Sequence, residues 1–211
     1  MAGNPALCLS HSEWSRRFAG FVRDASPENL LGSSIYFDLR VVWGDEHTCE
    51  ALRSTLLTQI ADNRIFQRML ADNALRQRPP VGRLRDFVLT RQGTDKAGTL
   101  DLKVQGLTPF VDGARVLALA HGIGACNTLE RIRQLVVKGV IDPLDGAAYE
   151  EAYHFIQQTR MQQHQRQARD NLAYSNRLDP DSLNHLDRRI LRESLRQAQR
   201  LQSSLAMRYQ L

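Results

Sequence analysis

The chain has 211 residues, 42% hydrophobic and 24% charged, a globular balance that supports one sizeable core or a domain plus part of another. Arg, Asp, Gln or His interrupts every apolar run before the roughly 20 residues of a membrane span. Residues 1–10 also lack the basic and apolar stretches of a signal peptide, so a cytoplasmic protein without a membrane partner is expected.

In chain order, Ser10 and Glu13 have capping-box spacing, and Trp14, Phe18, Phe21 and Val22 follow at helical intervals. Ser26-Pro27-Glu28 opens a short second helix with Pro at its first position. Ser33 to Gly44 is rich in β-branched and aromatic residues and closes on Gly, which predicts a strand. Alternation along it would put Ile35, Phe37, Leu39 and Val41 on one face and Tyr36, Asp38 and Arg40 on the other.

From Asp45 to about Gln77 the pattern gives two helices. Their core faces are Leu52, Leu56, Leu57 and Ile60, then Ile65, Phe66, Met69 and Leu70. Arg78-Pro79-Pro80-Val81-Gly82 turns the chain. Phe87–Thr90 and Thr99–Val104 flank a Gly-containing segment around Gly93, which suggests a hairpin. Helices follow over Leu107–His121 and Thr128–Lys138, then from Asp142-Pro143 to about Asp170. The last begins near Asp179-Pro180-Asp181 and carries one stripe from Leu183 through Leu186, Ile190, Leu191, Leu195, Ala198 and Leu201 to Leu205. Two long helices joined by a short Asn/Pro loop argue for an antiparallel bundle. The expected fold is therefore mainly α, an antiparallel helical bundle with a small β element.

The net charge of +5 sits at the C-terminal end, where ten Arg face five Asp or Glu from Arg160 onward. Such a tail can meet nucleic acid, an acidic protein or a phosphate. Without an accompanying aromatic set, a solvated helix face is favoured and nucleic acid is not. Cys8, Cys49 and Cys126 lack zinc or disulfide spacing and read as reduced, partly buried side chains. His154 and His164 have no metal-ligand partner at helical spacing, and Ser33-Ser34 lacks the flanking glycines of a nucleophile elbow.

Two constellations could carry chemistry. Asp38 and Arg40 share one side of the expected strand and could hold a divalent metal and a phosphate. Spacing alone favours an internal ion pair at a sheet edge instead. Asp101 and Lys103 share the face of a second strand, Gly106 permits a tight turn, and Asp112 and Arg115 share a helix face. These form either a charged pocket at the strand-to-helix passage or a salt-bridge network, and spacing does not choose between them.

At these constellations the chain resembles the C-terminal region of DUF294-type nucleotidyltransferases, which bacteria often place behind cyclic-nucleotide-binding and CBS domains. The resemblance runs through Ser34-Ile35-Tyr36-Phe37-Asp38-Leu39-Arg40, Arg78-Pro79-Pro80 and Leu100-Asp101-Leu102-Lys103. It continues through Val111-Asp112-Gly113-Ala114-Arg115, Asn127-Thr128-Leu129-Glu130-Arg131 and Leu183-Asn184-His185-Leu186-Asp187-Arg188-Arg189. More distantly it is similar to the protein-PII uridylyltransferases and glutamine-synthetase adenylyltransferases, whose last catalytic carboxylate lies in an Asp-x-Arg strand.

The resemblance implies transfer of a nucleotidyl group from a nucleoside triphosphate to an acceptor, a protein among the options, with Mg²⁺ held by two or three carboxylates. Asp38 would be the catalytic metal ligand only once the missing upstream segment is supplied, and Arg40, Asp101, Lys103, Asp112 and Arg115 would face nucleotide or substrate. The family's Gly-Ser loop followed by Asp-x-Asp does not occur in this sequence. The resemblance therefore implies a chain inactive alone: residues 1–44 as the last piece of a catalytic domain and 45–211 as a helical substrate-binding domain. The competing expectation is a non-catalytic helical interaction module.

Overall fold

A computed structural model describes residues 3–82, 87–89 and 98–211. Helix α1 (His11–Arg23) begins as its sequence dictates. The Ser10 hydroxyl accepts the Glu13 amide, and the Glu13 carboxylate accepts the Ser10 amide at 2.7 Å. Ser26 caps α2 (Pro27–Tyr36) and Pro27 starts it.

Helix α2 runs through Ser33–Tyr36, and residues 37–45 form no regular element, so the expected strand over Ser33–Gly44 is not formed. The reason is a helical stripe. Leu30, Ser33 and Phe37 recur at helical spacing and all are buried, whereas Ile35, a core position in the strand reading, is 49% exposed. Phe37 meets Phe18 edge-on at 5.6 Å and lies 6.2 Å from Phe66, between ring centroids. That burial outweighs the β preference of the β-branched and aromatic residues.

Asp45 caps α3 (Glu46–Ala61) through the His47 and Thr48 amides, and Asn63 caps α4 (Arg64–Ala74). Leu52, Leu56 and Ile60 point inward, as do Phe66 and Leu70. Ile65, expected in the core, is 75% exposed and Met69 38%, because the buried face of α4 continues through Ala71 and Ala74.

The remaining helices are α5 (Thr108–Ala120), α6 (Thr128–Val137), α7 (Pro143–Arg169) and α8 (His185–Tyr209). Asn184 caps α8, so Asp179-Pro180-Asp181 forms a separate short turn before it. Leu191, Leu195, Ala198, Leu201 and Leu205 form its buried stripe, while Leu186 is exposed and Ile190 borderline. Helices α7 and α8 lie against each other, and α5 is packed by α3, α4, α6 and α8. Phe110, Leu135, Ile156 and Leu195 have essentially no exposed surface, each contributing about 1.5–3 kcal/mol of hydrophobic stabilisation. The protein is a mainly α, antiparallel helical bundle. Among the described residues no helix is long and apolar enough to cross a membrane.

The small β element is β1 (Leu100–Asp101) paired antiparallel with β2 (Arg177–Leu178), Leu100 opposite Leu178. Of the expected hairpin, residues 90–97 lie outside the described residues, 87–89 form no strand, and the Thr99–Val104 arm pairs with β2 instead. Its second arm is only β1, because residues Leu102–Leu107 wind into a π-helical turn that runs into α5. Gly106 sits in that turn with ordinary backbone angles and allows close packing: a Cβ there would stand 3.0 Å from Ile156 Cγ2. The cysteines are all free, with Cys8 exposed and Cys49 and Cys126 half-buried.

Candidate functional site

Asp38 follows the buried Phe37 at the end of α2 and turns its carboxylate onto α5 and α6. Arg115 on α5 donates to Asp38 Oδ2 from Nη2 at 2.8 Å and from Nε at 3.3 Å. Arg115 Nη1 donates to Asp112 Oδ1 at 2.6 Å, one helical turn earlier. Arg131 on α6 is 1% exposed and donates to Asp38 Oδ1 from Nη2 and to the Ala125 carbonyl from Nε at 2.7 Å. Its Nη1 is buried without a hydrogen-bond partner among the described residues. The next peptide is tied as well. The Leu39 carbonyl accepts from Arg53 Nη2 of α3 at 2.8 Å and from Cys126 Sγ at 3.4 Å.

The electrostatics follow from these contacts. Burial pushes the Asp38 carboxyl up, but the bonds and charges of Arg115 and Arg131 outweigh it and hold it below the usual carboxylate range. Asp112 moves the other way: burial raises it, and Arg115 offsets this only in part. Burial lowers the Arg115 guanidinium, and Asp38 and then Asp112 more than restore it.

The structure thus brings Asp38, Asp112 and Arg115 together. Arg40 is exposed and lines a shallow depression of about 480 Å³ with Val41, Cys49 and Arg53. Asp101 and Lys103 do not share a strand face, because β1 ends at Asp101. The Asp101 carboxylate caps the π-helical turn, accepting the Lys103 and Val104 amides at 2.9 and 2.8 Å. The Lys103 side chain is exposed, and among the described residues no hydrogen bond or ion pair joins it or Asp101 to Asp38.

Sequence reasoning missed Arg131 and Arg53. A signal for Arg131 existed: it shares the buried face of α6 with Thr128, Ile132 and Leu135, where a charge requires a partner.

These residues do not fit the Mg²⁺ ion that the resemblance implies. Both Asp38 oxygens already accept from guanidiniums, and Asp112 is bonded to Arg115. No group of three or more His, Cys, Asp or Glu suited to a metal occurs among the described residues. A divalent cation wants several oxygen ligands, not two adjacent positive charges.

Two further features lie on the bundle. The Arg78-Pro79 turn borders a groove of about 530 Å³ with Arg76 and Ser203. Gln202, buried on α8, pins this turn by donating to the Ala74 and Gln77 carbonyls. His185, Arg188, Arg189 and Arg192 border a basic depression of about 620 Å³ at the start of α8. Farther along α8 the cations are locally matched: Arg200 pairs with Asp145 at 3.2 Å and Arg196 with Glu193 at 3.6 Å.

Compared with known proteins, residues 64–209 match the family model DUF294_C, described as "Putative nucleotidyltransferase substrate binding domain". The match takes in α4 through α8, hence Asp112, Arg115 and Arg131 but not Asp38. No curated protein and no solved structure matches the chain.

Proposed function

The chain belongs to the DUF294_C family of nucleotidyltransferase substrate-binding domains, and from that premise we propose that its bundle binds the substrate of a nucleotidyl transfer completed by catalytic carboxylates this sequence does not supply. The observation that carries the reading is the family match over 64–209, which coincides with the helices that build the bundle core. On this reading the enzyme is of the protein-PII uridylyltransferase kind, acts in cytoplasmic signalling, and takes a nucleoside triphosphate and a separate acceptor. Residues 1–44 are the edge of the catalytic part and 45–211 the substrate-binding part. Lys103, with its exposed ammonium, and Arg40, on the rim of its depression, are the members of the expected site open to a phosphate. Asp38 and Arg115, being bonded to each other, support the scaffold. No step is assigned to Mg²⁺ on this chain.

The test is calorimetric titration of the purified chain with Mg-ATP and Mg-UTP beside Lys103→Ala, together with an assay for label transfer to any acceptor in the mixture. The expected outcome is nucleotide binding weakened several-fold by Lys103→Ala, and no transfer. Transfer by the chain alone would overturn its proposed dependence on a separate catalytic part. Absence of binding at millimolar nucleotide would favour a second reading, a helical interaction module. A specific observation supports that alternative: Val42 and Trp43 stand 88% and 94% exposed side by side.

A further inference from the structure

We infer that Asp38 is the shared counter-ion of Arg115 and Arg131, a bridge that fixes the segment after α2 onto α5 and α6, and that it is not a ligand for a divalent cation. This goes beyond the substrate-binding reading, since it reassigns the residue that the resemblance puts at the metal.

Geometry makes the case. Arg115 presents Nε and Nη2 to one carboxylate oxygen, and Arg131 presents Nη2 to the other. Each is a charge-assisted bond from a guanidinium N–H to a carboxylate oxygen. Arg131 is 1% exposed, so its charge has essentially no contact with water and depends on Asp38 for neutralisation. Asp112, the other acid bonded to this group, already serves Arg115.

A cation bound at Asp38 would have to displace at least one guanidinium. It would leave a buried Arg without a counter-charge and place two or more further positive charges beside it. The bridge is also registered by contacts that do not involve the carboxylate, since Arg53 and Cys126 hold the adjoining Leu39 carbonyl from two other elements. Four pieces of chain (α3, α5, α6 and the turn before α6) thus converge on residues 38 and 39. Asp38 is accordingly a positioning residue. It sets the course of residues 39–44, which carry exposed Arg40, Val42 and Trp43.

The experiment joins a thermal double-mutant cycle to a metal probe. Asp38→Asn should lower Tm by about 5–10 °C, the scale expected when a largely buried pair loses one partner in a chain this size. Arg115→Gln should lower it as well, because it leaves Asp112 without its partner and Asp38 with Arg131 alone. The double variant should lose clearly less than the sum of the two. Additive losses would overturn the bridge. Separately, Mn²⁺ is titrated into the wild-type chain while the amide signals of residues 38–40 are followed by NMR. No selective paramagnetic broadening is expected there. Broadening centred on Asp38, or a Tm that rises with Mg²⁺ in wild type but not in Asp38→Asn, would overturn the exclusion of a metal. The Mn²⁺ titration needs only the wild-type chain, so it decides even if a variant fails to fold. Loss of nucleotide binding with the bridge intact would count against the substrate-binding reading alone.

Discussion

Two aspartates share Arg115, and their surroundings move them in opposite directions. Asp38 is held below its unfolded value, so its contribution is fully present above the ordinary carboxylate range and is lost as pH falls through the folded value. Asp112 is raised by burial, so the folded chain keeps its proton longer and stability declines as pH rises from the unfolded value through the folded one. Wild-type unfolding free energy, followed by urea titration from pH 6 downward, should therefore fall below about pH 4, and Asp38→Asn should flatten that fall. Identical acid slopes would mean that Asp38 makes no net contribution. Little of this was legible in the sequence. Spacing favoured an internal ion pair at a sheet edge for Asp38 and Arg40; no strand forms there, and Asp38 pairs with Arg115 and Arg131 instead. Its partners, however, lie 77 and 93 residues away, beyond any local pattern. Asp112 and Arg115 could be paired from sequence because both sit on one helix three residues apart.

At the level of elements, helices with a cap and a long apolar stripe were readable, and those decided by tertiary burial were not. The Ser10–Glu13 box, Asn127 and Asp142 announce α1, α6 and α7 by their own hydrogen bonds. The end of α2 is different, since Ser34 to Tyr36 satisfies a strand pattern as well as a helical one. The choice falls to Phe37, whose burial against Phe18 and Phe66 no local window can see. Close helix approach is equally hidden. A Cβ on Gly146 of α7 would stand 2.4 Å from Val136 Cγ2 of α6, nearer than side chains tolerate. Gly146→Ala should therefore cost about 1–3 kcal/mol through overpacking, although alanine is the better helix former. Combining it with Val136→Ala should recover a good part of the loss in a thermal cycle. If Gly146→Ala alone stabilises the chain, α6 and α7 separate more easily than their contact implies.

For the whole molecule, the question is whether residues before Gly44 form one cooperative unit with the bundle. The chemistry that joins them is of two kinds. Phe37 inserts among Phe18, Phe21 and Phe66, so aromatic burial passes from α1 and α2 into α4. Beside it, the Asp38 bridge and the Asn63 amide, which donates to the Val22 carbonyl at 3.0 Å, add directional ties. Apolar contact resists separation in proportion to area, while a buried ion pair resists it because either charge alone would lack compensation. Together they couple the first 44 residues to α4, α5 and α6. The chain provides its own probe: its two tryptophans, Trp14 and Trp43, both lie in this N-terminal part, whereas far-UV circular dichroism is dominated by the long helices of the bundle. Urea transitions followed by tryptophan fluorescence and by circular dichroism should coincide, with equal midpoints and slopes. An earlier fluorescence transition would mean that the N-terminal part unfolds from an intact bundle, as expected of a catalytic edge that requires the rest of its own domain. Coincident transitions that separate in Asp38→Asn would place the coupling in the bridge itself, with the aromatic contact insufficient alone.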